Sequence, residues 1–318
     1  METLLLSSND IQTAAELLRQ GELVAVPTET VYGLAANALS PDAVKKIFTA
    51  KGRPQDNPLI VHIADRQQVF DLATHVPDIA VKLMDACWPG ALTMVFNAAN
   101  CVPCVVTAGL PTVAVRYPSH PIMLEIIRAA GVPLAAPSGN RSGFPSPTRA
   151  SHVLDDLDGR IAAVVDGGSC DIGVESTVLD VSGDRPCILR LGGVGQADIE
   201  RVLGINLSVD IHSKEKPRSP GQKYRHYAPA KPLTVVPQPA LAEMGIVVIC
   251  PEEYAHMYIN SIVYGQLLKP ESLARGLYAA LREADKTDAD GIIAVCPEGE
   301  EFDAIRDRLY RAVQEHKL

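Results

Sequence analysis

The amino-acid sequence predicts an α/β protein in which a twisted sheet of mixed parallel and antiparallel strands precedes a smaller α/β domain. Helical and strand patterns mix without strict alternation over the first two thirds of the chain, which disfavours a regular doubly wound sheet. The 318 residues exceed what one ordinary core holds. From Lys216 to Ala242 the chain has no acidic residue and many prolines, which is typical of a linker.

Apolar periodicity and capping residues place the elements of the first domain. Asn9 or Asp10 caps a helix that ends near Arg19, and Ser40 caps a second helix with Pro41 in its first turn. Further helices are predicted at residues 66–74, 78–86 and 121–130. Strands are predicted at residues 23–26, 59–63, 92–96, 113–116, 134–137, 161–165, 176–181 and 188–191.

After the linker the sequence shows regular β-α units. Apolar runs predict strands at residues 246–249 and 292–295. Amphipathic patterns predict helices at 271–284 and 302–313. These elements indicate a small second α/β domain of about the last ninety residues.

The composition narrows the possible classes of function. A hydrophobic content of 47% and a charged content of 21% are typical of a soluble globular protein, and neither a spanning segment nor a signal peptide is predicted, so we expect a cytoplasmic protein. The seven cysteines include one C-x-x-C, Cys101 and Cys104, without a second pair; we expect reduced thiols rather than a metal site. The net charge of −9 opposes a broad nucleic-acid surface but allows a small basic pocket for a nucleotide.

Two cations stand two residues apart in the run from Lys51 to His62. Gly52 and Pro54 predict a loop there. Side chains two apart in an extended or turning backbone tend to point the same way, so Lys51 and Arg53 can address one anion together. The alternative is that Lys51 and Arg53 belong to a solvated basic loop without a ligand. This alternative is disfavoured because polar clusters recur at other strand ends.

Five predicted strand ends carry polar clusters. Ligands of α/β sheets bind where strand ends meet loops, so a convergence of these ends would form a pocket rich in cations and hydroxyls, suited to phosphate and carboxylate groups. Taken one at a time, these residues have structural explanations: His62 could be a half-buried histidine at a strand end, and Glu29 and Glu175 could cap turns. The clusters are Thr28-Glu29-Thr30; Lys51, Arg53, Asn57 and His62; Thr112 and Arg116; Ser138, Asn140, Ser142 and Ser146; and Glu175-Ser176-Thr177 with Arg190.

Standard nucleotide and nucleophile motifs are missing from the sequence. Neither a G-x-x-x-x-G-K-[ST] loop nor a G-x-S-x-G elbow occurs, and the glycines at 192, 193 and 195 lack dinucleotide-binding spacing. Any ATP must therefore be held by a different construction.

Seven segments together resemble the YrdC/Sua5 family of threonylcarbamoyl-AMP synthases. The resemblance covers residues 7–197, and the segment 219–229 resembles the linker of the two-domain Sua5 branch, so it extends to the whole chain. The family-like segments are 27–34 (PTETVYGL), 51–54 (KGRP), 57–62 (NPLIVH), 88–93 (WPGALT), 135–143 (AAPSGNRSG), 173–178 (GVESTV) and 188–190 (ILR).

The resemblance implies a fold, an organisation and a reaction. It implies a YrdC-like twisted mixed sheet with helices around a concave basic groove (7–197), a linker that acts as an active-site lid (198–231), and a Rossmann-like C-terminal domain (232–318). L-threonine, bicarbonate and ATP, with Mg²⁺ on the nucleotide, would give threonylcarbamoyl-adenylate and pyrophosphate. A tRNA threonylcarbamoyl-transferase complex would then modify adenosine 37 of tRNAs that read codons beginning with A.

The resemblance also implies roles for individual residues. Lys51 and Arg53 would be catalytic by neutralising phosphates, and Arg116 would pair with the threonine carboxylate. ATP would be bound by Lys51, Arg53, Asn57, Thr112, Ser138, Ser146, Arg190 and His226. Threonine would be bound by Thr30, His62, Arg116, Ala136 and Ser176. The lid residues would be Tyr224, Arg225 and His226, and no protein metal site is expected.

Two other classes of function stay open at this point. An RNA-binding or regulatory module of the same fold is disfavoured by the acidic net charge, because RNA binding depends on phosphate neutralisation. A carbamoyl-transfer domain of hydrogenase maturation lacks support, since no acylphosphatase or zinc-finger segment is present. The sequence assigns no chemistry to the second domain, and it leaves open whether tRNA is bound directly.

Overall fold

The computed structural model describes residues 2–211 and 226–313, which form two sheets. Tyr224 and Arg225, two of the three predicted lid residues, lie outside the described residues. The strands of the larger sheet are β1 (Leu4–Leu6), β2 (Val24–Val26), β3 (Gly33–Asn37), β4 (Ile60–His62), β5 (Leu92–Asn97), β6 (Thr112–Arg116), β7 (Leu134–Ala135), β8 (Ala163–Val165), β9 (Thr177–Asp180), β10 (Cys187–Arg190) and β11 (Ser208–Val209). The helices around it are α1 (Ile11–Arg19), α2 (Pro41–Lys51), α3 (Val69–Leu72), α4 (Asp78–Cys87), α5 (Cys104–Thr107), α6 (Pro121–Ala130), α7 (Ala150–Leu157) and α8 (Gln196–Leu203).

The larger sheet is mixed, as predicted. Its strand order is β1-β8-β2-β3-β7-β4-β6-β5-β9-β10-β11. For example, β4 runs parallel to β6, whereas β5 runs antiparallel to β6 and parallel to β9. Consequently the carboxyl ends of β4, β6 and β10 and the amino end of β9 lie at one edge of the sheet.

Strand alternation divides the larger sheet into apolar and polar rows. Residues two apart on a strand share a face, so His62 lies on the face of Ile60, and Arg116 on that of Ala114. Ile60, Ala114 and Val178 belong to one small buried apolar cluster. The row of polar strand ends therefore continues an apolar floor, and the cross-strand register sets His62 beside Arg116.

The helices cover the larger sheet in two groups. Helices α1 and α6 pack together over β2, with Leu18 and Ile126 in one core cluster. The largest cluster contains Ile47 of α2, Leu83 of α4 and Val153 of α7. Ser40 caps α2 by accepting a hydrogen bond from the Ala43 N–H at 3.4 Å, as predicted.

The second sheet is parallel and has the strand order β12-β15-β13-β14. Its core cluster contains Leu277 and Leu309 from the two helices, and also Val31 and Val174 from the first part of the chain. The two sheets are therefore joined by shared apolar packing. The strands are β12 (Leu233–Val236), β13 (Ile246–Cys250), β14 (Ser261–Val263) and β15 (Gly291–Val295), and the helices are α9 (Pro270–Asp285) and α10 (Asp303–Val313).

Several elements differ from the sequence-based expectations. Lys51 is the last residue of α2 rather than part of a loop, and the loop begins at Gly52, which ends the helix with φ = 61°. Strand β3 was not predicted, because its small residues Gly33, Ala35 and Ala36 give a weak strand signal. The predicted linker range 198–231 contains part of α8 and β11, and β11 joins the larger sheet beside β10.

Candidate active site

A cavity of about 60 Å³ lies at the polar edge of the larger sheet, where the strand ends meet the loops and residues 226–227. Nine of the predicted site residues line it: Thr30, Arg53, His62, Arg116, Ala136, Ser138, Ser176, Arg190 and His226. Glu175 and Tyr227 line it too. The predicted convergence of polar strand ends is therefore a feature of the fold.

Lys51 lies beside the cavity, not on its surface. It is 4% exposed, and its Nζ donates to the carbonyl oxygen of Ser138 and, at 2.6 Å, to that of Asn140. Burial, reinforced by the charge of Arg53, holds its pKa well below the usual value for lysine. The Lys51 side chain thus anchors the 138–140 loop, and both residues that accept its hydrogen bonds, Ser138 and Asn140, line the cavity.

Arg53 lines the cavity itself. Its Nη2 donates to the carbonyl oxygens of Asn57 and Pro58, each at 3.2 Å, so the guanidinium is held against the loop that leads into β4. Asn57 is 1% exposed, and neither its Oδ1 nor its Nδ2 has a hydrogen-bond partner among the described residues. A buried amide without partners is costly, and Asn57 itself is not among the residues that line the cavity.

Arg116 is positioned by three partners. Its Nη1 donates to Thr30 Oγ1 at 2.8 Å, its Nε donates to the Gly90 carbonyl oxygen at 3.1 Å, and its Nη2 lies 2.7 Å from Glu29 Oε1. Burial by itself disfavours the charged Glu29, but the charge and hydrogen bond of Arg116 outweigh it and lower the pKa of that carboxyl. Glu29 is therefore the counter-ion of Arg116 rather than only a turn cap.

A buried histidine, His62, and a partly buried one, His226, line the cavity in the neutral form. Burial, with the nearby Arg116 charge, lowers the pKa of His62 to about 3. Burial, with the Arg53 charge, lowers that of His226 to about 3. Within the described residues, His62 Nδ1 and His226 Nε2 have no hydrogen-bond partner. The unpartnered nitrogen of each neutral ring can donate one hydrogen bond to a ligand or accept one from it, depending on the tautomer.

Ser176 and Arg190 form one unit. The Ser176 hydroxyl shares a 2.7 Å hydrogen bond with Thr93 Oγ1. Arg190 donates from Nε to the Ser176 carbonyl oxygen at 3.0 Å and from Nη2 to its hydroxyl at 3.1 Å. The guanidinium is thus fixed on the loop that leads into β9.

Glu175 is a cavity residue whose role sequence reasoning missed, together with the second-domain residues that bind it. It accepts hydrogen bonds from Ser146 Oγ at 2.6 Å and from Arg308 Nε at 2.7 Å, and Tyr278 OH donates to both its oxygens at 2.9 and 3.1 Å. Ser146 is therefore turned to Glu175 and does not line the cavity. The signal for Glu175 was its place beside Ser176, but nothing local in the sequence indicated Tyr278 or Arg308.

Thr112 and Ala136 differ in their position relative to the cavity. Thr112 begins β6 and pairs with Asn97, whereas Arg116 ends that strand, so about 13 Å of extended chain separates them and Thr112 is not among the residues lining the cavity. Ala136 lines the cavity, and its backbone N–H donates to the Ile60 carbonyl oxygen at 3.1 Å. The structure brings Ala136 to the other site residues and leaves Thr112 apart.

Two family models together match nearly the whole chain. The Sua5–YciO–YrdC model, described as telomere recombination, matches residues 16–192. The model described as the C-terminal domain of threonylcarbamoyl-AMP synthase matches residues 194–313.

Relatives and solved structures agree with those matches. The threonylcarbamoyl-AMP synthase of Bacillus subtilis is 50% identical over 91% of this chain and 89% of that protein, and that of Pyrococcus abyssi is 45% identical over 89% and 88%. The crystal structure of P. abyssi Sua5 complexed with L-threonine superposes with a TM-score of 0.87 at 40% identity, covering 98% of each chain. The chain belongs to the two-domain Sua5 family of threonylcarbamoyl-AMP synthases, which are ATP-using nucleotidyltransferases.

None of the helices within residues 2–211 and 226–313 is long and apolar enough to cross a membrane.

Proposed function

We propose that the cavity converts L-threonine, bicarbonate and ATP into L-threonylcarbamoyl-adenylate and pyrophosphate. The observation that carries the proposal is the convergence of three arginines, Arg53, Arg116 and Arg190, on one small buried cavity with two neutral histidines. Such a cavity suits a carboxylate and a polyphosphate together.

The threonine end is proposed to lie at Arg116. Its three protein partners fix the guanidinium plane and leave N–H groups of Nη1 and Nη2 for the threonine carboxylate. Thr30, His62, Ser176 and the backbone at Ala136 would hold the rest of the amino acid. This group is supported by the register that sets His62 beside Arg116.

The nucleotide end is proposed to lie toward Arg53 and Arg190. Arg53 and Lys51 would neutralise phosphates, with Lys51 leaving its two carbonyl partners when ATP binds. Asn57 offers a buried amide that has no partner among the described residues. Ser138, Ser146, Thr112 and His226 are proposed to bind ATP as well, and for Thr112 the support is the sequence resemblance alone.

The reaction would proceed by positioning and charge neutralisation. A carbamate oxygen of N-carboxythreonine attacks the α-phosphorus of ATP, a new P–O bond forms, and the α–β bridging bond breaks so that pyrophosphate leaves with the electron pair. Arg53, Lys51 and Arg190 offset the charge that develops on the phosphoryl oxygens. No covalent protein intermediate is required.

Mg²⁺ is proposed to arrive with ATP and to supply charge neutralisation on the phosphates. Among residues 2–211 and 226–313, no three His, Cys, Asp or Glu side chains cluster so as to hold a metal ion. The donor set of the cavity is cationic and hydroxylic, which fits a Mg²⁺ carried by phosphate oxygens and water better than one held in a protein cage.

His226 and Tyr227 are proposed to close the cavity. A volume of about 60 Å³ is far below the roughly 300 Å³ or more of pockets that hold ligands of this size, so these residues must move outward for ATP to enter. Tyr227 has φ = 65°, which a bulky residue rarely adopts and which indicates a constrained wall. That Tyr224 and Arg225 share this role stays a prediction.

The wider role is proposed to follow from the product. A downstream tRNA threonylcarbamoyl-transferase complex would transfer the group to adenosine 37 of tRNAs that read codons beginning with A, in the cytoplasm. We retain 7–197, 198–231 and 232–318 as the catalytic domain, linker and C-terminal domain. An RNA-binding module is the second candidate, and tight, strongly salt-dependent tRNA binding without turnover would favour it.

The test is pyrophosphate release with ATP, L-threonine and bicarbonate, each omitted in turn. We expect release only when all three are present. Release without threonine would assign another acceptor to the site. Absence of release from the purified chain with all three substrates would overturn the proposed reaction.

A further inference from the structure

One buried guanidinium of the second domain binds both loops that carry cavity residues. Arg308 of α10 is fully buried, and its Nε donates to Glu175 Oε2 at 2.7 Å. Its Nη2 donates to the carbonyl oxygen of Leu191 at 2.7 Å. Glu175 precedes Ser176 and Leu191 follows Arg190, so Arg308 contacts the immediate neighbour of each of these two cavity residues.

Arg308 also supports a third part of the wall. Its guanidinium carbon lies 5.2 Å from the ring centroid of Tyr227, which lines the cavity, and that ring stacks on Tyr278 at 5.5 Å. Tyr278 in turn donates to both oxygens of Glu175. Asp307 pairs with Arg308 and, at 2.9 Å, with Arg311, so the guanidinium is itself held in place.

The backbones of the two domains also approach each other closely next to Glu175. Gly173, two residues before Glu175, has φ = 81°, and a Cβ built on it would overlap the Cα of Arg275 in α9. Only glycine allows both the left-handed backbone and this contact. The loop that presents Glu175 and Ser176 is therefore seated directly on the second domain.

We propose that Arg308 and Tyr278 of the second domain are positioning residues for the synthase reaction. They hold Glu175 and the Leu191 carbonyl, and thereby set the places of Ser176, Arg190 and Ser146. This assigns to the second domain a role at the site: it supports, from outside, the part of the cavity wall that carries Glu175, Ser176 and Arg190. The inference rests on the proposed substrate-binding roles of Ser176 and Arg190.

The test compares three variants of the full-length chain. Arg308→Met removes the bridge between the two loops, and Tyr278→Phe removes only the hydroxyl that binds Glu175. Lys286→Met is the control, because Lys286 of the second domain also bridges the two domains, by pairing with Asp155 of α7 at 3.0 Å, and neither residue nor its chain neighbours line the cavity. Steady-state pyrophosphate release against threonine and against ATP is measured with the melting temperature.

We expect kcat/KM to fall in the variants that alter the support of the cavity wall, and not in the variant that alters another contact between the domains. Arg308→Met should lower kcat/KM for both substrates by about 100-fold, and Tyr278→Phe by roughly 10-fold with little change in melting temperature, the low end of the range for one hydrogen bond to a charged group. Lys286→Met should keep kcat and both KM values within about threefold of those of the unaltered chain. Arg308→Lys should restore only part of the activity, because lysine cannot reproduce the fork that spans both loops.

The outcomes separate this inference from the proposed function. If the unaltered chain requires all three substrates but Arg308→Met and Tyr278→Phe keep its kcat and KM values, the two residues are only structural and the inference is wrong. Equal kinetic losses in Lys286→Met would also overturn it. If Arg308→Met does not fold, Tyr278→Phe decides. An inactive unaltered chain would instead contradict the proposed function.

Discussion

Two buried carboxylate–arginine pairs flank the cavity, and they differ in which parts of the chain they join. Glu29–Arg116 lies within the larger sheet and its loops, whereas Glu175–Arg308 links the catalytic sheet to α10 of the second domain; both have a separation of 2.7 Å. A buried pair is an uncertain source of stability, because desolvation offsets most of the attraction. The pairs are better understood as devices that fix geometry.

The cavity-facing partner also differs between the pairs. In the first pair the arginine lines the cavity and the carboxylate, Glu29, does not. In the second pair the carboxylate lines the cavity and the arginine stands behind it. One arginine, Arg116, therefore faces the cavity, whereas the other, Arg308, lies behind a carboxylate of the cavity wall.

The largest expected effect comes from cations that belong to neither pair. Lys51→Ala or Arg53→Ala should abolish pyrophosphate release, at least about 1,000-fold, because phosphate charge would lose its partners. Circular dichroism and melting curves should show a folded protein. Near-normal turnover of either variant would contradict the phosphate assignment and leave the two pairs as the main charges of the site. Arg66→Ala, an exposed arginine paired with Asp85, serves as the control.

Removal of residues 217–318 eliminates the second pair and leaves the first intact. Turnover should be severely impaired, since Glu175 loses Arg308 and Tyr278, and Val31 and Val174 lose the apolar cluster they share with the second domain. Pyrophosphate release and a melting curve measure the two effects separately. A truncated protein that works as well as the full chain would show that the second pair and the linker are dispensable.

A conservative change in the first pair should affect one substrate selectively. Arg116→Lys is expected to raise the KM for threonine about 100-fold while changing the KM for ATP little, because lysine lacks the fork that binds a carboxylate in two places. Initial rates against each substrate test this. An unchanged threonine dependence would show that Arg116 binds another group.

The second pair, Glu175–Arg308, should also make the free energy of unfolding depend on pH. Burial alone disfavours the charged Glu175, but the Arg308 and Arg190 charges and the Ser146 hydrogen bond outweigh it and lower its pKa from 4.5 to about 2. A lowered carboxyl pKa stabilises the fold above pH 4.5, and this contribution, about 3 kcal/mol, is lost as the pH falls from about 4.5 to 2.

The measurement is denaturant unfolding between pH 7 and 3 for the unaltered chain and Glu175→Gln. The variant should be less stable at pH 7, and the difference should narrow toward pH 3. Glu29→Gln should change stability in the same direction, since its pKa is also lowered. A gap between Glu175→Gln and the unaltered chain that stays constant with pH would refute the assigned ionisation.

The sequence predicted the local elements well where packing and local chemistry agree. Pro121 and Gly131 bounded α6 at its observed limits, and Ser40 with Pro41 set the start of α2. Strand β3 and helix α8 escaped prediction: small residues give β3 a weak strand signal, and α8 is a short helix directly after the glycines at 192, 193 and 195. Hydrophobic patterns report burial, so elements that pack through small side chains leave little trace.

Which residue types gather at the strand ends could be predicted from short stretches of sequence, because period-two alternation and turn chemistry act over a few residues. Three features could be seen only in the folded chain: Glu29 neutralises Arg116, Thr112 lies at the far end of its strand, and Arg308 reaches Glu175 across 133 positions. Such pairings depend on strand order and domain docking, which follow from the burial of the whole chain and not from any short segment.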